Sequence, residues 1–198
     1  MSFEPDTLTL VALRANDLPM PTPSVRSGDE AVPLVEAAKA GDRSAFAALY
    51  DRYVRMVHGI VLTRVHRSHV DDLVQDVFVH ALGRLASLRE PAAFGGWLAT
   101  IARNRATDHL RQHGRNEVPL EDDAAGPNED RAEALAVLAV LRTMPDTYRE
   151  TLALRLIEGM TGPEIAERTG LTPASVRVNL HRGMKMLRAR LQGEADRE

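Results

Sequence analysis

The run GPEIAERTGLTPASVRVNLHRGMKMLRARL, residues 162–191, decides how this chain is read. Ile165 and Ala166 sit on a short helix, Gly170 supplies a turn, and Leu171 is expected to fill the space beneath it. Thr172 is placed to cap the next helix, Pro173 suits its first turn, and Val176 and Leu180 face inward. Ala166 is small enough for two crossing helices to approach closely, and Gly170 allows the positive φ that a tight turn often needs. The second helix then points Arg177, His181, Arg182 and Lys185 outward. Between Pro173 and Leu191 stand five bases (Arg177, Arg182, Lys185, Arg188, Arg190) and no acid. Arginine reads guanine edges bidentately or clamps phosphate, and lysine adds phosphate contacts. A helical hairpin with a solvated basic face is the plain alternative. The ordered alanine, glycine, valine and clustered bases favour a DNA-binding helix-turn-helix.

The charge distribution around this motif agrees with it, although the formal net charge is −3. Five acids against Arg14 and Arg26 lie between Met1 and Pro33, and seven acids against Arg131 lie between Glu117 and Glu133. The acidic stretches hide a local basic stripe of the kind that attracts phosphate. Hydrophobic residues make up 44% and aromatic residues 4% of the 198, so the core must be built mainly from Leu, Val, Ile and Ala, which favours helix packed on helix. There is no cysteine, which removes disulfides, thiolate zinc sites and cysteine nucleophiles together. No apolar run approaches the roughly 20 residues of a membrane span. The stretch Met1–Leu13 has acids where a signal peptide would be basic, so no membrane insertion and a cytoplasmic location are expected.

Periodicity divides the chain into two helical modules. Residues 1–32, with Pro5, Pro19, Pro21 and Pro23, read as a mobile arm. The first module, 33–113, starts with a short helix from Pro33 to Ala40 closed at Gly41, with Asp42 capping the next. That next helix carries Phe46, Leu49, Tyr50, Tyr53, Val57 and Ile60 in one stripe. A third runs from about Val70 to Leu85 with Leu73, Val74, Val77, Phe78, Ala81, Leu82 and Leu85 as its apolar positions. A fourth runs from about Phe94 to Gln112, where Trp97 beside Phe94, Leu98 and Ile101 reads as core. Residues 114–129 are acidic, contain Gly126 and Pro127, and read as a flexible linker. The second module, 130–192, holds four helices at about Arg131–Thr143, Asp146–Ile157, Gly162–Arg168 and Pro173–Leu191. The expected fold is all-α, two small helical domains joined by a flexible acidic linker.

On the third helix Asp72, Gln75, Asp76 and Val79 lie at i, i+3, i+4 and i+7, on one side opposite the core stripe. The run 71-DDLVQDVF-78 closely resembles the core-binding helix in region two of bacterial sigma factors. The run 94-FGGWLATIARN-104 resembles that region's promoter-melting segment. Residues 135–191 are similar to region four, with the Met144-Pro145 break, Tyr148-Arg149-Glu150 and Glu164-Ile165-Ala166 in the family's places. Regions two and four alone, in that order and with a short linker, match the extracytoplasmic-function (ECF) group of the sigma-70 family.

This resemblance implies roles for particular residues. Asp72, Gln75, Asp76 and Val79 would dock on the coiled coil of the β′ clamp of core RNA polymerase, and the second module would sit near the β flap. Leu88 and Arg89 in the loop, with Asn104 on the following helix, would hold a flipped base of the promoter's downstream element. Thr100, Arg103, Asn104, Thr107 and Arg111 share a donor-rich helical face suited to phosphates and base edges. Arg177, His181, Arg182 and Lys185 would read the upstream element. The family often has a small polar residue and then a base after the position of Arg177, where this chain has Val178-Asn179, so its promoter preference is expected to differ. Expected partners are core polymerase, promoter DNA and an anti-sigma factor. The function implied is that of an alternative sigma factor directing promoter recognition and DNA melting.

Two rival readings stay open at this point: a stand-alone helix-turn-helix regulator, and a sigma-like decoy that binds an anti-sigma factor. An enzymatic reading finds little support. His109 and His113 are four apart and His66 and His69 three apart, but neither pair sits in an HExxH pattern, and surface histidines near helix ends are the commoner explanation. No glycine-rich phosphate loop or serine nucleophile elbow is present. No cofactor or metal is expected.

Overall fold

The computed structural model describes residues 28–113 and 129–195. Most of the expected arm, and all of the expected linker except Glu129, lie outside the described residues. Within them are eight α-helices and no strand: α1 Gly28–Lys39, α2 Arg43–Leu62, α3 Val70–Arg84, α4 Phe94–His113, α5 Glu129–Thr143, α6 Asp146–Leu156, α7 Gly162–Thr169 and α8 Pro173–Ala195. Short 3-10 turns occupy Arg67–His69, Leu85–Ser87 and Pro91–Ala93.

Local chemistry sets most of the ends. Asp42 caps α2, its carboxylate accepting from the Ser44 amide at 2.8 Å and the Ala45 amide at 3.2 Å. Thr161 and Glu164 form a reciprocal capping box at the start of α7, with the Thr161 amide donating to Glu164 Oε2 at 2.7 Å. Gly170 ends α7 in the left-handed region at φ 74°. At the start of α8 the Ser175 amide donates to Thr172 Oγ1 at 3.1 Å, the cap expected of Thr172.

Three local expectations are corrected. Helix α1 begins at Gly28, ahead of the expected start at Pro33, which stands inside the helix. Ala31, Val35 and Ala38, at i, i+4 and i+7, are all buried on one face, and that burial outweighs the single ladder bond the proline removes. Leu82 belongs to the solvent face of α3 and is 53% exposed, because it lies seven residues after Gln75 and three after Val79. Leu171 is exposed as well. The space inside the turn is taken by Thr169, whose hydroxyl donates to Ile165 O at 2.5 Å and accepts from the Leu171 amide at 3.3 Å.

In the first module, α2 contributes Leu49, Tyr53, Met56, Val57 and Ile60 to a core completed by Val74, Val77, Phe78 and Ala81 of α3 and Phe94, Leu98 and Ala102 of α4. Phe78 packs on Tyr50 with ring centroids 4.6 Å apart, and Tyr53 on Phe94 at 5.1 Å. Val140, Leu141, Met144, Leu152 and Leu187 form a smaller core within the second module. The two modules do not stand apart. Leu154, Met160, Ile165, Ala166 and Val176 of the second module are continuous with the first module's core, and α6 and α7 pack on α2 and α4.

Candidate nucleic-acid interface

Helix α8 is amphipathic along its length. Val176 and Leu187 are buried and Leu180 half-buried against the second module, whereas Arg177, His181, Arg182, Lys185 and Arg188 are exposed. No ion pair with another described residue occupies these five side chains. The basic face is therefore available to polyanion along the length of the helix. Asn179, one residue past Val178, is buried and lies outside that face.

The face expected on α3 is present, with one member engaged. Asp72 and Gln75 are exposed and Val79 is 70% exposed. Leu82 extends this face instead of joining the core. Asp76 is ion-paired with Arg105 of α4, so it ties α3 to α4 as well as facing outward.

The downstream-element set is split by the structure. Arg89, Asn104, Thr107 and Arg111 are exposed. Thr107 gives its hydroxyl hydrogen to Arg103 O at 2.8 Å, and Thr100 likewise to Gly96 O at 2.9 Å, so both hydroxyls keep only lone pairs for a partner. Leu88 is buried in the first module's core, and its carbonyl accepts from Lys39 Nζ at 2.7 Å. Its side chain anchors the loop, which leaves the backbone and Arg89 as the loop's outward groups. Trp97 is half-buried with its ring 5.8 Å from that of Phe94, a packing position.

Arg103 is held by the second module. Its guanidinium forks onto Glu150 of α6, with Nε 2.9 Å from Oε1 and Nη2 2.8 Å from Oε2. Arg64, beyond the end of α2, pairs with the same carboxylate and reaches Asp146 at 3.1 Å. Glu150 is only 7% exposed, so a carboxylate is buried between two arginines of the other module.

Further polar ties surround this clasp. Arg142 of α5 donates to Leu62 O at 3.2 Å and Val65 O at 2.8 Å, satisfying carbonyls at the C-terminal end of α2. Arg168 donates to Arg52 O and lies 5.6 Å over the Tyr53 ring, while Glu167 pairs with Arg52. None of these pairings has a local sequence signal, because each joins groups far apart in the chain.

His58 of α2 adds a titratable tie. Its Nδ1 is 2.6 Å from Glu158 Oε1, and Arg55 Nε lies 3.9 Å from the other oxygen. The hydrogen bond to Glu158 raises the histidine above its ordinary value, with help from the charges of Glu158 and Asp71 and against the opposing effect of burial. A raised histidine stabilises the paired state fully below its unfolded pKa of about 6.5, and the contribution is lost as pH rises through the folded value. The contact between modules should thus loosen above roughly pH 6.5. Intermodule distance followed by energy transfer between two dyes should grow with pH in the native chain, and His58→Gln should flatten that dependence. A dependence of equal size in His58→Gln would assign it to another group.

His69 and His109 meet across α3 and α4 with ring centroids 4.8 Å apart, and His66 lies 6.3 Å from His69. No group of three or more His, Asp or Glu residues suited to a metal ion occurs among the described residues. No helix of the described residues is long and apolar enough to cross a membrane.

An exposed basic helix, set beside a helical module with an uncovered polar and apolar face of its own, is the kind of arrangement found in DNA-binding transcription factors. Family models for sigma-70 region 2 and sigma-70 region 4 match residues 49–116 and 134–187. The chain is 30% identical over 177 residues to the ECF RNA polymerase sigma-E factor of Haemophilus influenzae, across 80% of this chain and 94% of that one. It is 29% identical to the ECF RNA polymerase sigma-E factor of Escherichia coli K12, across 80% and 93%. A solved structure of CnrH in complex with the cytosolic domain of CnrY matches with a TM-score of 0.57 at 28% identity, covering 82% of this chain and 97% of that chain. The chain belongs to the ECF sigma factors of the sigma-70 family, the alternative sigma factors that direct transcription initiation.

Proposed function

We propose that residues 33–113 bind core polymerase and open the promoter, and that residues 130–192 read the upstream element. The docking surface on the β′ clamp is Asp72, Gln75 and Val79, with Leu82 at its edge and Asp76 shared with Arg105. Asn104, Arg111 and Arg89 contact the opened strand, joined by Arg103 once it leaves Glu150. Arg177, His181, Arg182 and Lys185 face the upstream duplex, and the second module leans on the β flap. The observation that carries this reading is the coexistence of two uncovered faces of different chemistry, basic on α8 and acidic-apolar on α3.

The mechanism has no covalent step, and the protein is not an enzyme. Opening costs a few kcal/mol per unstacked base step, which captured-base contacts and the polymerase offset. Work on promoter DNA with core polymerase places it in the cytoplasm. An anti-sigma partner is expected from the family resemblance, and the matched CnrH is held in a complex of its own with the cytosolic domain of CnrY.

The arrangement described is a closed one, because Glu150 occupies the guanidinium that the melting face needs. Closure leaves α8 and the α3 face exposed, so polymerase and upstream DNA have purchase before Arg103 is released.

Transcription in vitro with core polymerase tests the assignment. The native chain should give discrete start sites. The double substitution Asp72→Arg, Val79→Glu should weaken core binding about 30-fold, the loss of about 2 kcal/mol that marks an interface hot spot. Both side chains are exposed, so the fold should survive. DNA binding without any initiation by the native chain would point instead to a stand-alone regulator or a decoy.

A further inference from the structure

Val178 stands at the centre of the outward face of α8 and is 45% exposed. Successive residues turn by about 100°, so His181, Arg182 and Lys185, at i+3, i+4 and i+7, surround it on the same side. Val176 and Leu187, both buried, lie on the opposite side. Ala174, also exposed, sits one turn ahead of Val178 and extends the apolar spot towards the start of the helix. A β-branched residue is not a strong helix former, and this one has no core to fill. A scattered exposed valine needs no explanation on an ordinary surface. Here its position singles it out: it is the apolar centre of a face otherwise made mainly of basic side chains, within two turns of the helix start, where recognition helices meet base edges.

The major groove offers one apolar group on its base edges, the 5-methyl of thymine. Resting on the reading of α8 as the upstream-element helix, we propose that Val178, with Ala174 behind it, is a specificity-determining residue that packs on a thymine methyl of that element. Arg177 and Arg182 flank it with guanidinium groups suited to guanine edges or neighbouring phosphates. Asn179 adds no amide readout of adenine, since it is turned into the protein and is only 8% exposed.

The test replaces the methyl and nothing else. Upstream sequences are first selected from a randomised duplex pool by the full chain bound to core polymerase. Each thymine of the selected element is then changed singly to deoxyuridine. The native chain should lose about four-fold in affinity at one position, the value of one buried methyl group. Val178→Ser should bind thymine and uracil equally there while keeping the native preferences at the other positions of the element. Val178→Ala should retain a smaller penalty.

A native chain indifferent to uracil at every position, or a Val178→Ser chain with the native penalty, would overturn the proposal and leave upstream reading by α8 intact. Enrichment of no upstream element at all would overturn both together.

Discussion

The Glu150→Lys chain should open. Glu150 is buried between Arg64 and Arg103, and the substitution sets a third cation where two guanidinium groups now share one carboxylate. Removing one partner of a buried ion pair costs about 3–5 kcal/mol because the remaining charges are left uncompensated. Arg103 keeps one side to solvent, so the low end applies, and about 3 kcal/mol moves the closed-to-open ratio by roughly a hundredfold. Neither module relies on Glu150 for its own apolar core, so each should keep its helices. The sequence has no cysteine, so Gly83→Cys and Ala189→Cys, both at exposed positions, accept a donor and an acceptor dye without competition. Transfer efficiency between them should fall in Glu150→Lys with helical content unchanged by circular dichroism. Affinity for core polymerase should change little, because the α3 face is already exposed in the closed form, whereas affinity of the polymerase-bound chain for premelted promoter DNA should rise, because an Arg103 face competent only when open no longer carries the penalty of a closed population. Unchanged transfer efficiency would mean that apolar packing alone holds the modules together.

How much of this was legible in the sequence follows from the range over which each signal acts. Helices and their ends are local: Asp42 before α2, Gly170 after α7 and the Leu49–Tyr53–Val57–Ile60 stripe each reflect neighbours within a turn or two. Leu82 is apolar by type but outward by helical phase, because its seven-residue spacing from Gln75 puts it on the solvent face. Leu88 resembles a base-holding position of the family, yet its side chain belongs to the core, and the apolar type alone does not separate the two. Glu150 was visible only as part of a family motif. Its partners are 86 and 47 residues away, and no periodicity relates a carboxylate on one helix to guanidinium groups on two others. The linker composition suggested independent modules, and apolar continuity through Leu154, Ile165 and Val176 is a property of three-dimensional packing that residue type does not announce.

The closed form also depends on a residue that has no side chain. Gly95, in the first turn of α4, faces the C-terminal end of α7, and a Cβ placed on it would fall inside van der Waals contact of the Arg168 carbonyl oxygen. It would also crowd the Arg168 carbonyl carbon at 3.0 Å and Tyr53 Cε1 at 3.1 Å. The first of these obstacles is backbone and cannot swing aside, so Gly95→Ala should cost the closed form about 1–3 kcal/mol of overpacking. In the open form the Arg168 backbone is gone and only the 3.1 Å approach to the Tyr53 ring of the same module remains, which a side-chain shift of a few tenths of an ångström relieves, while alanine is the better helix former. The substitution therefore disfavours the closed state more than the open one, and transfer efficiency should fall as it does for Glu150→Lys. Gly96→Ala supplies the control, since its Cβ would stand 3.3 Å from Thr169 O, a tight contact that a shift of a few tenths of an ångström relieves. If Gly96→Ala opened the chain as far as Gly95→Ala, the cause would be the altered first turn of α4, and the collision with Arg168 would have to be abandoned as the explanation. If only Gly95→Ala opens it, closure is written into the backbone at one point of approach and into charge at another, 55 residues away along the chain at Glu150. Combining Gly95→Ala with Glu150→Lys should then add little further separation, because either change alone already releases the same contact.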